Sequence, residues 1–371
     1  MTTGAVTTGA AAVGAATGAA VGGGLVLERV SKHYGPVRAV KGLDLRIEPG
    51  EFVALLGSSG CGKTSTLRMV AGFEAVSEGR ISLAGKRIDG LPPAGRGVAM
   101  AFEGYALYPP LTVADNIGFG LRGGTADTRR RVQEVAELLE IGPILGRKPQ
   151  GLSGGQQQRA SLARALARDA SLHLLDEPMG QLEPQLRAVL RGRVKGLTKR
   201  RGLTAVLVTH DQTEANAMAD RIAVMEAGVL QQYGTLEELR DRPANLFVAT
   251  FLGEPPMNAL PAGTEAGGVR LPSGLRLAVS GEMPAPGASV VLGVRPHHVR
   301  LGQGPWRAAV VANRWLGDQA HVVLDLAGQP VVAVAHERVP AAVGAEIPLG
   351  VVPGGVHLFD AASGAALLHG G

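Results

Sequence analysis

The chain's 371 residues suit two domains or three, and an apolar content of 45% is enough for ordinary cores. A net charge of +5 is mild and spread along the chain. With only 4% aromatic residues and no basic run interleaved with aromatics, nothing points to nucleic acid as a partner. The single cysteine, Cys61, excludes an intrachain disulfide and fits a reducing cytoplasm.

Residues 1–24 contain only Met, Thr, Gly, Ala and Val. Seven glycines and the lack of Leu, Ile or Phe oppose a membrane helix, and no basic start marks a signal peptide. A disordered tail is expected there. Folded structure begins as a strand from Leu25 to Val30. Ser31-Lys32-His33-Tyr34-Gly35 follows, then a strand with apolar alternation at Leu43, Leu45 and Ile47. On its own, Tyr34 reads as structural or as a stacking face for a base.

Phe52 to Leu56 is an uninterrupted apolar run, the mark of a strand buried on both faces. It leads into Gly57-Ser58-Ser59-Gly60-Cys61-Gly62-Lys63-Thr64, which matches G-x-x-x-x-G-K-[ST]. Ser65 to Ala71 then reads as a helix ended by Gly72. Strand, glycine loop and helix is the arrangement phosphate binding requires. Glycines let backbone N–H groups wrap the phosphates, and the helix N-terminus adds partial positive charge. Lys63 can reach the β- and γ-phosphates, and the Thr64 hydroxyl can hold Mg²⁺. A nucleoside triphosphate is the expected ligand, gripped by Gly57 through Ser65.

Further strands are expected at Arg80–Gly85 and Val98–Phe102, with a proline-rich stretch from Glu103 to Pro110 and a helix over 126–140. Leu152-Ser153-Gly154-Gly155-Gln156 runs into an alanine- and leucine-rich helix ending near Arg168, another helix start suited to an anion. Leu172 to Glu177 is a buried strand, inside which His173 is a packed residue rather than a ligand. It ends in two carboxylates. Beside a phosphate loop, these suit a division of labour: Asp176 holds Mg²⁺ and Glu177 orients or deprotonates the attacking water. A third buried strand, Thr204 to Thr209, ends at His210, before a capped helix start at Asp211. A hairpin is expected around Ala227-Gly228 and a capping box at Thr235 to Glu238. From about Thr250 the segments shorten and β-branched runs dominate, as in a small all-β domain.

Together these residues resemble the ATP-binding subunits of ABC transporters, the Leu152–Gln156 element being the most specific pointer. Tyr105-Ala106-Leu107-Tyr108-Pro109, Pro255-Pro256-Met257-Asn258, Gly293-Val294-Arg295-Pro296 and Leu358-Phe359-Asp360 are similar to the sugar-importer branch, of maltose and glycerol-phosphate type. The resemblance implies an α/β phosphate-loop ATPase core with an antiparallel β layer over residues 25–250. It further implies a helical subdomain at about 104–168 and an all-β, oligonucleotide-binding-like regulatory domain over 251–371. Tyr34 would then stack on adenine and His210 would sense the γ-phosphate. Ser153, Gly154, Gly155 and Gln156 would close on the ATP of a second copy, so that hydrolysis needs a homodimer. Two membrane-spanning permease subunits would dock near Glu103 to Pro110, at the cytoplasmic face of the membrane, and would be served by an extracytoplasmic solute-binding protein. Import of a polyamine or ferric ion, or a nucleotide-closing regulatory role, are the alternatives.

Three functional positions depart from the family's pattern. Glu103 stands where the family has glutamine, near the metal and the γ-phosphate. A carboxylate still ligates Mg²⁺, but at about 4 Å its repulsion with a phosphate oxygen is about 1 kcal/mol in water and about 4 at an effective dielectric of 20. Gly180 lacks the usual hydroxyl, and Glu183 is one methylene longer than the usual aspartate. Reduced hydrolysis is expected from these three.

Overall fold

A computed structural model describes residues 24–352 and 354–370. The tail expected over 1–24 therefore lies, but for Gly24, outside the described residues. The first part of the chain runs β1 (Leu25–Tyr34), β2 (Val37–Ile47), β3 (Phe52–Gly57), α1 (Lys63–Ala71), β4 (Glu78–Leu83), β5 (Lys86–Arg87) and β6 (Val98–Ala101). It continues through α2 (Val113–Gly118), α3 (Thr125–Leu138), α4 (Gly154–Ala167), β7 (Leu172–Asp176), α5 (Pro184–Arg201), β8 (Ala205–Val208) and α6 (Gln212–Met218). Strands β9 (Arg221–Glu226) and β10 (Val229–Gly234) and helices α7 (Leu236–Asp241) and α8 (Leu246–Phe251) complete it.

The central sheet has the order β10-β9-β3-β8-β7-β6, parallel from β9 to β6, with β10 antiparallel at one edge. Its strand β3 shows why the run from Phe52 is uninterrupted. Phe52, Ala54 and Leu56 face a core shared with α3, α4 and α5, while Val53 and Leu55 face the opposite core, beneath the antiparallel layer β2-β1-β4-β5. Strand β1 runs four residues beyond the expected Val30, because a bulged hairpin with β2 pairs Tyr34 with Val37. Tyr34 is thereby carried to the far end of β1, at the hairpin turn.

Three helices were not read from the sequence: α2, α5 and α8, the last capped by Asn245, which accepts from the Val248 N–H. Helix α2 carries its own signal: Thr112 accepts from the Asp115 N–H as N-cap. Helix α5 starts at Pro184 and ends on Lys199, Arg200 and Arg201 before Gly202 in the left-handed conformation, a proline start and glycine stop that were legible.

Beyond Phe251 come β11 (Asn258–Glu265), β12 (Gly268–Arg270), β13 (Arg276–Ala278), β14 (Ser289–Val294), β15 (Val299–Trp315), β16 (Ala320–Leu326), β17 (Gln329–Ala335), β18 (Glu346–Val351), β19 (Val356–Asp360) and β20 (Ala366–Leu368). They form a six-stranded and a four-stranded sheet around a core that includes Leu292, Trp306, Val322 and Leu358. The Asn258 amide ties the two sheets by donating to the carbonyls of Val294 and Val332. Three sequence pointers meet here: a Cβ on Gly293 would come within 2.6 Å of Met257 Sδ and 2.8 Å of the Phe359 ring. Arg295, buried, donates to the carbonyls of Leu252 and Arg240, joining this unit to α7.

Candidate active site

The parallel strands β3, β8, β7 and β6 are neighbours in that order, and each delivers a candidate residue at its carboxyl end. Strand β3 opens into the glycine loop, β8 is followed by Thr209 and His210, β7 ends in Asp176 and Glu177, and β6 leads to Glu103. Ligands of open α/β sheets bind outside these carboxyl ends. Parallel pairing alone thus gathers residues that are more than 150 positions apart in the chain.

Within the loop, Gly60 and Gly62 adopt φ of 78° and 101°, which only glycine takes without strain. A Cβ on Gly62 would lie 2.5 Å from the Ala39 carbonyl, and one on Gly57 2.2 Å from that of Met225. The loop is shaped by its glycines. Lys63 Nζ donates to the carbonyls of Gly57 (2.8 Å) and Ser58 (2.9 Å) and stands 3.6 Å from Cys61 Sγ. Ser58, Ser59 and Gly60 are exposed, whereas Cys61 is buried. At the start of α1, Ser65 Oγ is 3.4 Å from the Tyr34 hydroxyl. The Tyr34 ring is 42% exposed, with Lys32 Nζ 4.8 Å from its centroid. An exposed aromatic beside a phosphate loop can stack on a base.

Thr64 Oγ1 donates to Asp176 Oδ1 at 3.4 Å. Burial, reinforced by the negative charges of Glu103 and Glu177, pushes the Asp176 carboxyl up to about 6. A hydroxyl and a buried carboxylate with two further carboxylates nearby are hard oxygen donors, a set that fits Mg²⁺. Glu177 is held at φ 46°, a strained value for a side chain with a Cβ, and its Oε1 lies 3.0 Å from His210 Nδ1. Glu103 is exposed, and among the described residues its carboxylate has no hydrogen-bond or ion-pair partner. Its loop is bent sharply, with Tyr105 and Ala106 both at positive φ.

Ser153 caps α4 in a capping box with Gln156. Among the described residues, no hydrogen bond joins Ser153, Gly154, Gly155 or Gln156 to the phosphate loop of the same chain. They lie instead beside the loop after Glu177, where a Cβ on Gly154 would meet Gln181 Oε1 at 2.4 Å.

Sequence reasoning missed the residues that brace these loops. Arg164, buried in α4, donates to the Ala106 carbonyl at 2.8 Å. Asn116, fully buried, donates to the carbonyls of Tyr108, Leu111 and Thr112. Arg187 donates to the carbonyls of Gly180 and Leu182, and Gln158 to that of Glu177. For Arg164 the signal was a charge inside an Ala/Leu-rich helix; the others carried none.

Residues 40–180 match the family described as ABC transporter, 253–299 the MalK OB fold domain and 292–359 the TOBE domain. The sn-glycerol-3-phosphate import ATP-binding protein UgpC of Ruegeria sp. (strain TM1040) is 43% identical over 346 residues, spanning 92% of this chain and 98% of that protein. An uncharacterized ABC transporter ATP-binding protein, y4oS of Sinorhizobium fredii, is 42% identical over 350 residues, 92% of this chain and 94% of its own length. Among solved structures, dimeric MJ0796, a bacterial ABC transporter cassette, superposes with a TM-score of 0.54 at 30% identity, covering 57% of this chain and 98% of that one. With these relatives alike over nearly their whole length, the chain belongs to the family of ABC transporter ATP-binding subunits.

Proposed function

We propose that this subunit powers the import of a sugar derivative, with sn-glycerol-3-phosphate, the solute in the names of several relatives, as the first candidate. The observation that carries the mechanism is the separation of two half-sites. Phosphate loop, Asp176, Glu177 and His210 gather at the strand ends, while among the described residues no hydrogen bond joins Ser153–Gly155 to the phosphate loop. Two copies arranged head to tail would place each Ser153–Gly155 against the other's nucleotide. The dimeric MJ0796 structure bound to ADP and Pi supports pairing of two such subunits.

In this reading Tyr34 stacks on adenine, and Gly57 to Ser65 hold the phosphates. Lys63 leaves the Gly57 and Ser58 carbonyls to meet the terminal phosphates. Thr64 and Asp176 would hold Mg²⁺, with Glu103 within reach, and the ion would neutralise charge on the β- and γ-oxygens. Glu177 takes the proton of the attacking water, and His210, bonded to it, contacts the γ-phosphate. Closure of the dimer moves the membrane subunits. Their docking place is the groove between sheet and helical part, where Phe73, Tyr108 and Phe119 are 53%, 43% and 51% exposed. No helix among the described residues is long and apolar enough to cross a membrane; in this reading the chain is held at the cytoplasmic face by its permease partners, which an extracytoplasmic binding protein supplies.

The test is ATP-dependent uptake of sn-glycerol-3-phosphate into vesicles holding the complex of this chain with its membrane subunits. Uptake abolished by Glu177→Gln supports the reading. Uptake of maltose, a polyamine or ferric ion in its place would reassign the cargo. The exposed carboxylate of Glu103 favours a second reading, a subunit that closes on ATP and turns over poorly; ATP-driven dimers without hydrolysis would identify it.

A further inference from the structure

The loop from Glu177 to Glu183 follows the candidate base and is fastened from two helices. From α5, Arg187 donates to the carbonyls of Gly180 and Leu182 and, at 3.2 Å, to Asp211, the cap of the helix behind His210. From α4, Gln158, only 3% exposed, makes two bonds at once. Its Nε2 donates to the Glu177 carbonyl at 2.9 Å, and its Oε1 accepts from the Gln181 N–H at 2.9 Å. The backbone it grips is strained, since Glu177 sits at φ 46°, where a Cβ crowds the following carbonyl.

Position on the helix gives this clamp a direction. Gln158 lies four residues after Gly154, on the same face of α4 one turn on. Gln181, whose backbone Gln158 holds, rests its own side chain on Gly154: its Oε1 stands 2.4 Å from where a Cβ would be. Gly154, Gln158, Glu177 and Gln181 thus form a closed circuit from the head of α4 to the candidate base.

We propose that Gln158 is a positioning residue for hydrolysis, locking the backbone of Glu177 to the helix headed by Ser153–Gly155, so that contact with a partner's nucleotide sets the base in its own site. The inference rests on the ATPase reading above and deepens it. The primary amide of Gln158 supplies both the donor and the acceptor at that place. A carboxylate keeps the acceptor and loses the donor; methionine keeps the bulk and loses both. The side chain of Gln181 and a second copy's nucleotide compete for Gly154, so closure begins by displacing it.

The experiment is steady-state ATP hydrolysis by the full chain beside Gln158→Met, Gln158→Glu and Gln181→Ala. ATP-dependent dimerisation is measured for each in the Glu177→Gln background. In Gln158→Met and Gln158→Glu, kcat falls about 10–10²-fold, the effect of a small misplacement of a reacting group. KM for ATP stays within about twofold and dimers still form. Gln181→Ala, which uncovers Gly154, dimerises at lower ATP. Unchanged kcat in Gln158→Met overturns the proposal, as does a fall matched by lost dimerisation, which marks a merely structural role. A parent that dimerises without turnover would overturn the hydrolytic reading itself, an outcome distinct from unaffected Gln158 variants.

Discussion

The Nδ1 atom of His210 lies 3.0 Å from Oε1 of Glu177, joining the ends of two adjacent parallel strands. Register makes this contact: β7 and β8 pair Asp176 with Val208, and the Glu177 N–H donates to the Val208 carbonyl. The candidate base and the histidine beside it therefore need no loop to find one another. Replacing His210 with Ala should lower kcat while leaving ATP affinity near the parent's, because Lys63 and the glycine loop are untouched. Nucleotide titration beside a kinetic assay checks this; equal loss in both would remove His210 from the chemistry.

Glu103 adds a third carboxylate near Asp176 and Glu177, and its charge helps push Asp176 up. Glu103→Gln should raise turnover, since like-charge repulsion of about 1–4 kcal/mol is removed at the γ-phosphate. An assay in which the variant is no faster would show that the carboxylate is harmless or useful there.

Cys61 belongs to the loop yet its thiol is buried, 3.6 Å from Lys63 Nζ. Maleimide labelling should accordingly be slow and should stop when ATP occupies the loop. Labelling kinetics indifferent to ATP would argue that nucleotide does not bind there.

In the C-terminal unit, His357 is buried, and among the described residues its Nδ1 has no partner. Burial, with Arg295, His369 and His298 nearby, pushes its imidazole down to about 4. The native state keeps it neutral, while the unfolded chain takes up a proton below about 6.5. Stability is thus present above about 6.5 and is lost as pH falls from there toward 4, by at most about 3 kcal/mol. His357→Leu should flatten that loss, read as Tm at pH 7 and pH 4.5. Parallel pH curves for parent and variant would refute it.

What the sequence made legible was contiguous. The glycine loop, the Asp176-Glu177 pair, His210 and the Ser153 cap each occupy a few neighbouring residues whose spacing encodes their geometry. Buried strands announced themselves by apolar runs, and the change of texture near Thr250 announced the β-rich unit. Gln158 and Arg187 were invisible for the opposite reason. Gln158 meets Glu177 across 19 positions and Gln181 across 23, and Arg187 meets Asp211 across 24. Asn116 has near neighbours, but a polar residue in an amphipathic helix reads as solvent-facing until tertiary packing buries it. Tyr34 fell between the two cases, since its role depends on how far a bulged strand continues.

The central claim is that Glu177, set at the end of β7, is the base of an ATP hydrolase. Steady-state ATP hydrolysis by the full chain beside its Glu177→Gln variant tests it most directly. The account predicts measurable turnover in the parent and a loss of about 10²–10⁴-fold in the variant, the usual worth of a positioned base. Full activity in Glu177→Gln would contradict it.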